Sequence, residues 1–263
     1  SIDKKLRFRP LDTVKKELAF FLEQRVPQVK FVDRTYNLDE NYYLPIMQHL
    51  VEAETDATFH FEIKADLLTE NVLNFLKTVP KGRFQFEIGV QTTNVPTLEA
   101  INRRDNWEKL TANVKRLLSY GNIHLHLDLI AGLPYEGMAE FEKSFNDVYG
   151  LQPDMLQLGF LKVLPGTVME KQHFDHELQY MDEPPYEILS TKYMPYCGLR
   201  FLKVLEDVFE HTYNSGRFVY TLKYLTEAEG NAFAFYKKFA YLLILLCGGK
   251  NAENIRSGIM CAA

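Results

Sequence analysis

The amino-terminal two thirds of the chain alternates short apolar runs with amphipathic stretches. Each run is rich in aromatic and aliphatic residues and ends in polar side chains, which predicts a buried strand followed by a loop. The runs recur at intervals of about thirty residues, the spacing of βαβ units. They are Val29–Val32, Phe59–Ile63, Phe84–Val90, Ile123–Ile130 and Met155–Leu161.

Apolar residues at helical spacing fill the gaps between these runs, so the pattern predicts an α/β fold with a parallel sheet. Neither G-x-G-x-x-G nor G-x-x-x-x-G-K-[ST] follows any of the strands, which removes the best indication of a phosphate-binding, doubly wound sheet. An open or closed barrel is therefore favoured, with residues 1–170 as its core.

The pattern changes from about residue 172. Asp182–Pro185 is typical of a linker, and the apolar spacing beyond it predicts helices over 186–212 and 226–246 with a loop at Asn214–Arg217. Residues 248–263 lack periodicity and are expected to be disordered. The second predicted domain is thus a helical region over 171–263.

Composition narrows the class of protein. The chain has 263 residues, 46% of them hydrophobic, and a net charge of −5, so it offers no basic field for a nucleic acid. The longest apolar run, Phe239–Cys247, is too short for a membrane helix. The start of the given sequence shows no signal pattern, and the three cysteines of the chain suit a reducing compartment. We expect a cytoplasmic protein without membrane or nucleic-acid partners.

Polar side chains collect at the ends of the predicted strands. In a parallel barrel these ends converge on one face, where such folds hold their ligands. The candidates, strand by strand, are Asp33, Arg34 and Asn37; Glu62 and Lys64; Glu87, Gln91 and Thr92; His124, His126 and Asp128; and Lys162.

A structural role competes with a functional one for several of these residues. Glu62 and Glu87 lie inside apolar strands, where a buried acid must be paired with a cation or protonated. His124 and His126 point to one face of their strand, an arrangement that can suit a metal. No third ligand stands near them, so ordinary strand histidines are the expectation.

Four segments occur together in a fixed order: Val32–Asn37, Phe59–Ile63, Glu87–Thr92 with Ala100–Arg103, and Leu127–Pro134. Together they resemble the catalytic core of radical S-adenosylmethionine (radical SAM) enzymes, in particular the branch associated with an amino-terminal cobalamin-binding domain. The resemblance covers about 1–167 and extends to the helical region over 180–240. It implies a parallel (β/α)6-type partial TIM barrel.

One family feature is missing from the sequence. Radical SAM enzymes hold a [4Fe–4S] cluster on a C-x-x-x-C-x-x-C loop, because three thiolates must ligate the cluster. The cysteines of this chain are instead Cys197, Cys247 and Cys261. We therefore expect a fragment that lacks the first strand and the cluster loop and is inactive alone. The resemblance implies S-adenosylmethionine as cofactor, and a cluster, with cobalamin as an option, in the full-length parent.

The resemblance also implies roles for individual residues. Asp33, Arg34 and Asn37 stand where the family meets the methionine amine, and Glu62 is expected to meet substrate or cofactor. Gln91, Thr92 and Arg103 match a region that meets the methionine carboxylate or the ribose, and Arg103 can grip a carboxylate in bidentate fashion. Asp128 can accept from ribose hydroxyls, and Ile130 and Gly132 match the motif that packs on adenine.

Three interpretations remain open. The first is the core of a radical SAM oxidoreductase or transferase that acts on an unknown small molecule together with its missing amino-terminal segment. The second is a binding domain that keeps the S-adenosyl pocket without the cluster. The third is an unrelated barrel lyase or aldolase with Lys64 or Lys162 as a Schiff-base amine.

Overall fold

The computed structural model describes residues 7–246, and their main sheet is parallel. The sheet runs in chain order with strands β1 and β5 at its edges, so within 7–246 it does not close into a barrel. These observations confirm the predicted parallel α/β fold with an open barrel. The strands are β1 (Gln28–Lys30), β2 (Thr58–Ile63), β3 (Phe84–Gln91), β4 (His124–Ala131) and β5 (Met155–Phe160).

Several helices begin or end at residues that cap them. Thr69 accepts a hydrogen bond from the backbone N–H of Val72 at the start of α3, and Gly121 ends α5 in the left-handed conformation. The helices are α1 (Leu11–Glu23), α2 (Glu40–Glu52), α3 (Glu70–Leu76), α4 (Val95–Ala100), α5 (Trp107–Tyr120), α6 (Met138–Tyr149), α7 (Val168–Lys171), α8 (Tyr196–Phe209), α9 (Val219–Glu229) and α10 (Ala232–Leu246).

The described residues divide into two compact units. The amino-terminal unit contains 7–89 and Asp105–Leu127, and the carboxy-terminal unit contains Val90–Arg104 and 128–246. The ends of β3 and β4 thus belong to the carboxy-terminal unit. The predicted domain boundary near residue 170 stays a prediction.

Phenylalanine rings form the core of the amino-terminal unit. Phe59 stands opposite Phe84 and Phe61 opposite Phe86 in the parallel register of β2 and β3. All four side chains are fully buried, and the Phe61 and Phe84 rings meet edge to face with centroids 5.2 Å apart. This apolar face fixes the register, because a shift by one residue would turn the rings to the other side of the sheet.

A second aromatic cluster forms the core of the carboxy-terminal unit. Phe145 of α6 meets Phe209 of α8 at 5.4 Å and Phe233 of α10 at 5.5 Å between ring centroids. Tyr236 joins them, with its ring 4.8 Å from Phe209. The helical region therefore packs on α6, the helix that follows β4 along the chain.

The structure corrects the predicted helices of the carboxy-terminal region. The start of the predicted helix 186–212 is instead strand β7 (Ile188–Ser190), which pairs antiparallel with β6 (Gln179–Tyr180), and α8 begins only after Pro195. A short π-helix at Glu210–Asn214 follows α8. The predicted helix 226–246 is two helices, because Gly230 takes the left-handed conformation and ends α9.

The predicted disordered tail, 248–263, lies outside the described residues, as do Cys247 and Cys261. Within 7–246, none of the helices combines the length and the hydropathy needed to cross a bilayer.

Candidate functional site

Gln91 ends β3 in a strained conformation. Its φ is 69°, in the left-handed region that residues other than glycine rarely adopt. The oxygen of its side-chain amide, Oε1, is buried and has no hydrogen-bond partner among the described residues. A buried acceptor without a donor is costly, so this oxygen is suited to receive an N–H or O–H group from a ligand.

The next residue, Thr92, donates its hydroxyl hydrogen to Glu136, which follows β4 along the chain. Glu136 is completely buried, and its Oε1 also accepts from the hydroxyl of Ser144 on α6 at 3.3 Å. Burial raises the pKa of Glu136 to about 7, although the two hydroxyl groups oppose that shift. Its second oxygen, Oε2, has no hydrogen-bond partner within residues 7–246.

Further hydrogen bonds extend this network along the segment after β3. The backbone N–H of Thr93 donates to Ser144 Oγ at 3.0 Å, and that of Asn94 donates to Thr92 Oγ1 at 3.0 Å. The amide of Asn94 donates to the backbone carbonyl of Tyr135 at 2.8 Å. Tyr135 is itself left-handed, with a φ of 59°. Side-chain bonds thus join the segments that follow β3 and β4.

The other predicted residues of the carboxy-terminal unit have varied surroundings. Arg103 is half-buried and lies just after α4, while Asp128 and Ile130 are half-buried on β4. Gly132 has a φ of 85°, and a Cβ there would stand 2.7 Å from Ile188 of β7. Close packing of the hairpin therefore explains this glycine without a ligand, and its predicted role beside adenine stays untested.

The predicted residues of the amino-terminal unit also differ in exposure. Asp33 and Arg34 are exposed, and Glu62 is half-buried on β2. Asn37 is buried. Its side-chain amide donates a hydrogen bond to the backbone carbonyl of Lys64 at 2.8 Å and accepts one from the backbone N–H of Lys64 at 2.9 Å. Asn37 therefore has a structural role, whether or not it also meets a cofactor.

The face of the sheet opposite the phenylalanine core is polar in the amino-terminal unit. Glu87 accepts from Lys30 Nζ at 3.0 Å and lies 2.9 Å from His60 Nε2. Burial alone would raise the pKa of Glu87, but the hydrogen bond and charge of Lys30 hold it below its ordinary value. Burial and Lys30 lower the pKa of His60, and burial lowers that of His126. Parallel sheets usually bury apolar side chains on both faces, so this face is unusual.

The described residues support neither a cluster site nor a Schiff base at Lys64. Within 7–246, no group of three or more His, Cys, Asp and Glu side chains could hold a metal ion. The described residues therefore do not supply the ligands of a [4Fe–4S] cluster. Lys64 is paired with Asp105 at 2.6 Å, a structural ion pair that does not suit an amine nucleophile.

The sequence pattern did not single out Glu136, Ser144, Asn94 or Tyr135. Glu136 stands in a Leu-Pro-Tyr-Glu-Gly stretch that is typical of an exposed turn. Its partner Thr92 lies 44 residues away along the chain. No local signal shows that this carboxyl group is buried.

Comparison with known proteins assigns the chain to a family. A model of the radical SAM superfamily matches residues 1–148, and a model described as "Protein of unknown function (DUF4080)" matches 174–242. The first match covers more than half of the chain, so this protein belongs to the radical SAM superfamily.

Curated relatives share part of their length with this chain. The heme chaperone HemW of Bacillus subtilis is 30% identical over 138 residues, which are 51% of this chain and 36% of HemW. A tRNA-2-methylthio-N(6)-dimethylallyladenosine synthase of Buchnera aphidicola is 22% identical over 181 residues, 65% of this chain and 41% of that enzyme. The chain thus spans well under half the length of these relatives.

Solved structures show the same fold. Coproporphyrinogen III oxidase (HemN) of Escherichia coli aligns with a TM-score of 0.52 at 21% identity, over 79% of this chain and 48% of HemN. The radical S-adenosylmethionine methyltransferase TsrM of Kitasatospora setae, with cobalamin and a [4Fe-4S] cluster bound, aligns with a TM-score of 0.55 at 15% identity, over 68% of this chain and 35% of TsrM. At these identities the likeness supports the fold alone.

Proposed function

We propose that this chain is the S-adenosylmethionine-binding part of a radical SAM enzyme that acts on a small molecule. The observation that carries the proposal is the oxygen of Gln91, buried at the end of β3 without a donor among residues 7–246. The ribose hydroxyls and the ammonium group of S-adenosylmethionine are donors of the kind that this oxygen lacks. Membership of the superfamily supplies the class of ligand.

The remaining contacts are assigned within the carboxy-terminal unit. Arg103 would bind the methionyl carboxylate as a charged donor, and Asp128 would accept from a ribose hydroxyl. Ile130, half-buried on β4, would pack against the adenine. Gly132 keeps its proposed place beside adenine, although packing against β7 already explains it. Asp33, Arg34, Asn37 and Glu62 keep their predicted roles as further proposals.

In the full-length parent, S-adenosylmethionine and a [4Fe–4S] cluster would together supply the radical chemistry. Residues 7–246 hold no suitable set of ligands for the cluster, so we place its three cysteines on an amino-terminal segment of the parent polypeptide. A cobalamin-binding domain in that segment is a further proposal, supported by the cobalamin bound in the TsrM structure.

Calorimetric titration of S-adenosylhomocysteine into the chain tests the site without the cluster. Binding between micromolar and millimolar is expected, roughly −4 to −8 kcal/mol, because the iron adds no ligation. Arg103→Ala is expected to weaken binding by about 1.5–3 kcal/mol through loss of a charged hydrogen bond. Gln91→Met removes the acceptor and is expected to weaken binding by about 1 kcal/mol.

Gln152→Met is the matched control for Gln91→Met. Gln152 lies in the same unit and is also left-handed, with a φ of 55°, but its side chain is exposed. The control is expected to bind as wild type does. Equal affinities for wild type, Arg103→Ala and Gln91→Met would remove both residues from the site, and no binding by wild type would refute the proposal.

A further inference from the structure

Glu136 is a completely buried acid in the segment that follows β4. Its only hydrogen bonds among the described residues come from the hydroxyls of Thr92 and Ser144, and both reach the same oxygen, Oε1. The carboxyl group thus joins the segment after β3, the segment after β4 and helix α6. A residue with a strained backbone precedes each partner of the Thr92–Glu136 hydrogen bond. Gln91 precedes Thr92 with a φ of 69°, and Tyr135 precedes Glu136 with a φ of 59°.

We infer that Glu136 is a positioning residue for the S-adenosyl site, and that its neutral form holds the ends of β3 and β4 in the binding conformation. The inference rests on the proposed function, since it concerns the same site. It goes beyond that proposal by making ligand binding depend on a proton at a residue that the ligand does not touch.

The hydrogen-bond pattern explains why the neutral form is the competent one. A neutral carboxyl group can carry its proton on Oε2, the oxygen without a partner in residues 7–246, and still accept both hydroxyls on Oε1. An ionised group would leave a buried charged oxygen without a donor, which is far more costly. The segments around it must then move to admit water or a backbone N–H. Strained residues such as Gln91 keep their conformation only while their surroundings enforce it.

Charged groups around Glu136 favour the same form. Glu140, on the first turn of α6, adds a negative charge that opposes ionisation. Asp147 of α6 accepts from Thr93 Oγ1 at 2.6 Å, and Lys143 neutralises it at 2.6 Å. The segment after β3 presents only hydroxyl and amide groups to this network, through Thr92, Thr93 and Asn94. The carboxyl group therefore meets hydroxyls as donors and a carboxylate as its charged neighbour.

The test measures S-adenosylhomocysteine binding by calorimetry from pH 5.5 to 8.5. Wild-type affinity is expected to weaken above pH 7. The loss is about tenfold for each unit by which the pKa of Glu136 is higher in the ligand-bound protein than in the free protein. Glu136→Gln keeps the shape and the Oε1 acceptor and cannot ionise, so its affinity should stay at the low-pH value. Comparing the two proteins at each pH cancels the titration of the ligand's own amine.

Two further variants sharpen the test. Glu140→Gln removes the negative charge on α6 that opposes ionisation of Glu136, so it should move the midpoint of the wild-type transition to lower pH. Ser144→Ala removes a hydroxyl that lowers the pKa of Glu136. The pKa should therefore rise, and the midpoint of the transition should move to higher pH than in wild type. Identical pH profiles for wild type and Glu136→Gln would overturn the inference.

Amide hydrogen exchange separates this inference from the proposed function. The N–H groups of Thr93 and Asn94 donate into the network, so their protection reports its closure without any ligand. Relative to Glu136→Gln at each pH, wild type is expected to lose protection at both amides above pH 7. That result would support the positioning role even if S-adenosylhomocysteine failed to bind, and equal protection in the two proteins would overturn it.

Discussion

Two glutamates, one in each unit, meet opposite electrostatic surroundings. Glu87 of the amino-terminal unit lies beside Lys30 and His60, and Lys30 in particular holds its pKa low against the effect of burial. Glu136 of the carboxy-terminal unit meets only hydroxyls and a second carboxylate, so burial raises its pKa to about 7. The difference shows that burial raises the pKa of a carboxyl group unless a cationic partner offsets it.

The two units should therefore lose stability at opposite ends of the pH range. His60 and His126 have pKa values lowered from 6.5, and Glu87 has one lowered from 4.5. The unfolded chain binds these protons more readily, so the amino-terminal unit loses stability as the pH falls below 6.5. Glu136 keeps its proton longer in the folded state, so the carboxy-terminal unit loses stability as the pH rises from 4.5 through about 7.

The largest expected effect is that of Glu136→Gln on stability at high pH. A pKa raised from 4.5 to about 7 corresponds to about 3 kcal/mol of unfolding free energy that wild type loses on ionisation. The glutamine variant cannot ionise, so it should be the more stable protein at pH 8.5 by up to this amount. At pH 4 the two proteins should be nearly equal. Urea unfolding at both pH values measures the difference.

The exposed carboxylate of Glu227 on α9 provides the control for this prediction. Glu227→Gln should change the unfolding free energy by only a few tenths of a kcal/mol at either pH, the usual range for an exposed site. A Glu136→Gln protein that is less stable than wild type at pH 8.5 would show that the carboxylate finds donors in solution that residues 7–246 do not provide.

A smaller effect of opposite sign is expected for Glu87→Gln. The variant loses the negative charge of Glu87 that lies beside Lys30 and His60. Its unfolding free energy should fall by about 1 kcal/mol at pH 7, a figure reduced because Glu87 and Lys30 are partly exposed. The loss should fade as the pH falls through the lowered pKa of Glu87, where wild type is protonated too. Urea unfolding at a series of pH values from 7 downward measures it, with the exposed Glu52→Gln as control. A loss that does not change with pH would indicate a packing effect instead.

These two glutamates also show how far the sequence alone could go. Glu87 stands between Phe86 and Ile88, and an acid inside an apolar strand must find a partner, so its pairing could be predicted. The identity of that partner depends on the register of β1, β2 and β3, which the structure supplies. Glu136 gave no such signal, because its burial depends on Thr92 and α6, and no local pattern records their approach.

The sequence pattern did not predict the carboxy-terminal hairpin of β6 and β7, for a related reason. Apolar spacing over 186–212 is compatible with a helix, but Ile188 packs against Gly132 of a segment more than fifty residues earlier. Tertiary packing of this kind overrides local periodicity. Strands β2 to β5 were predicted well because each is a contiguous run whose apolar side chains are largely buried. The first run, Val29–Val32, was predicted less well, because β1 is Gln28–Lys30, with none of its residues fully buried, and Val32 is 90% exposed.

The smallest expected effect on stability belongs to Lys30→Met, and it probes the cluster around Glu87 most directly. The Lys30 side chain is 54% exposed, so its removal should change the unfolding free energy by less than about 1 kcal/mol. Its charge nevertheless lowers the pKa values of both Glu87 and His60. Both values should therefore rise in the variant, and NMR titration of the carboxyl carbon and the imidazole ring measures them. Lys16→Met, at an exposed position of α1, should leave both unchanged. A rise for Glu87 without one for His60 would show that Lys30 reaches the carboxylate but lies too far from the imidazole to act on it.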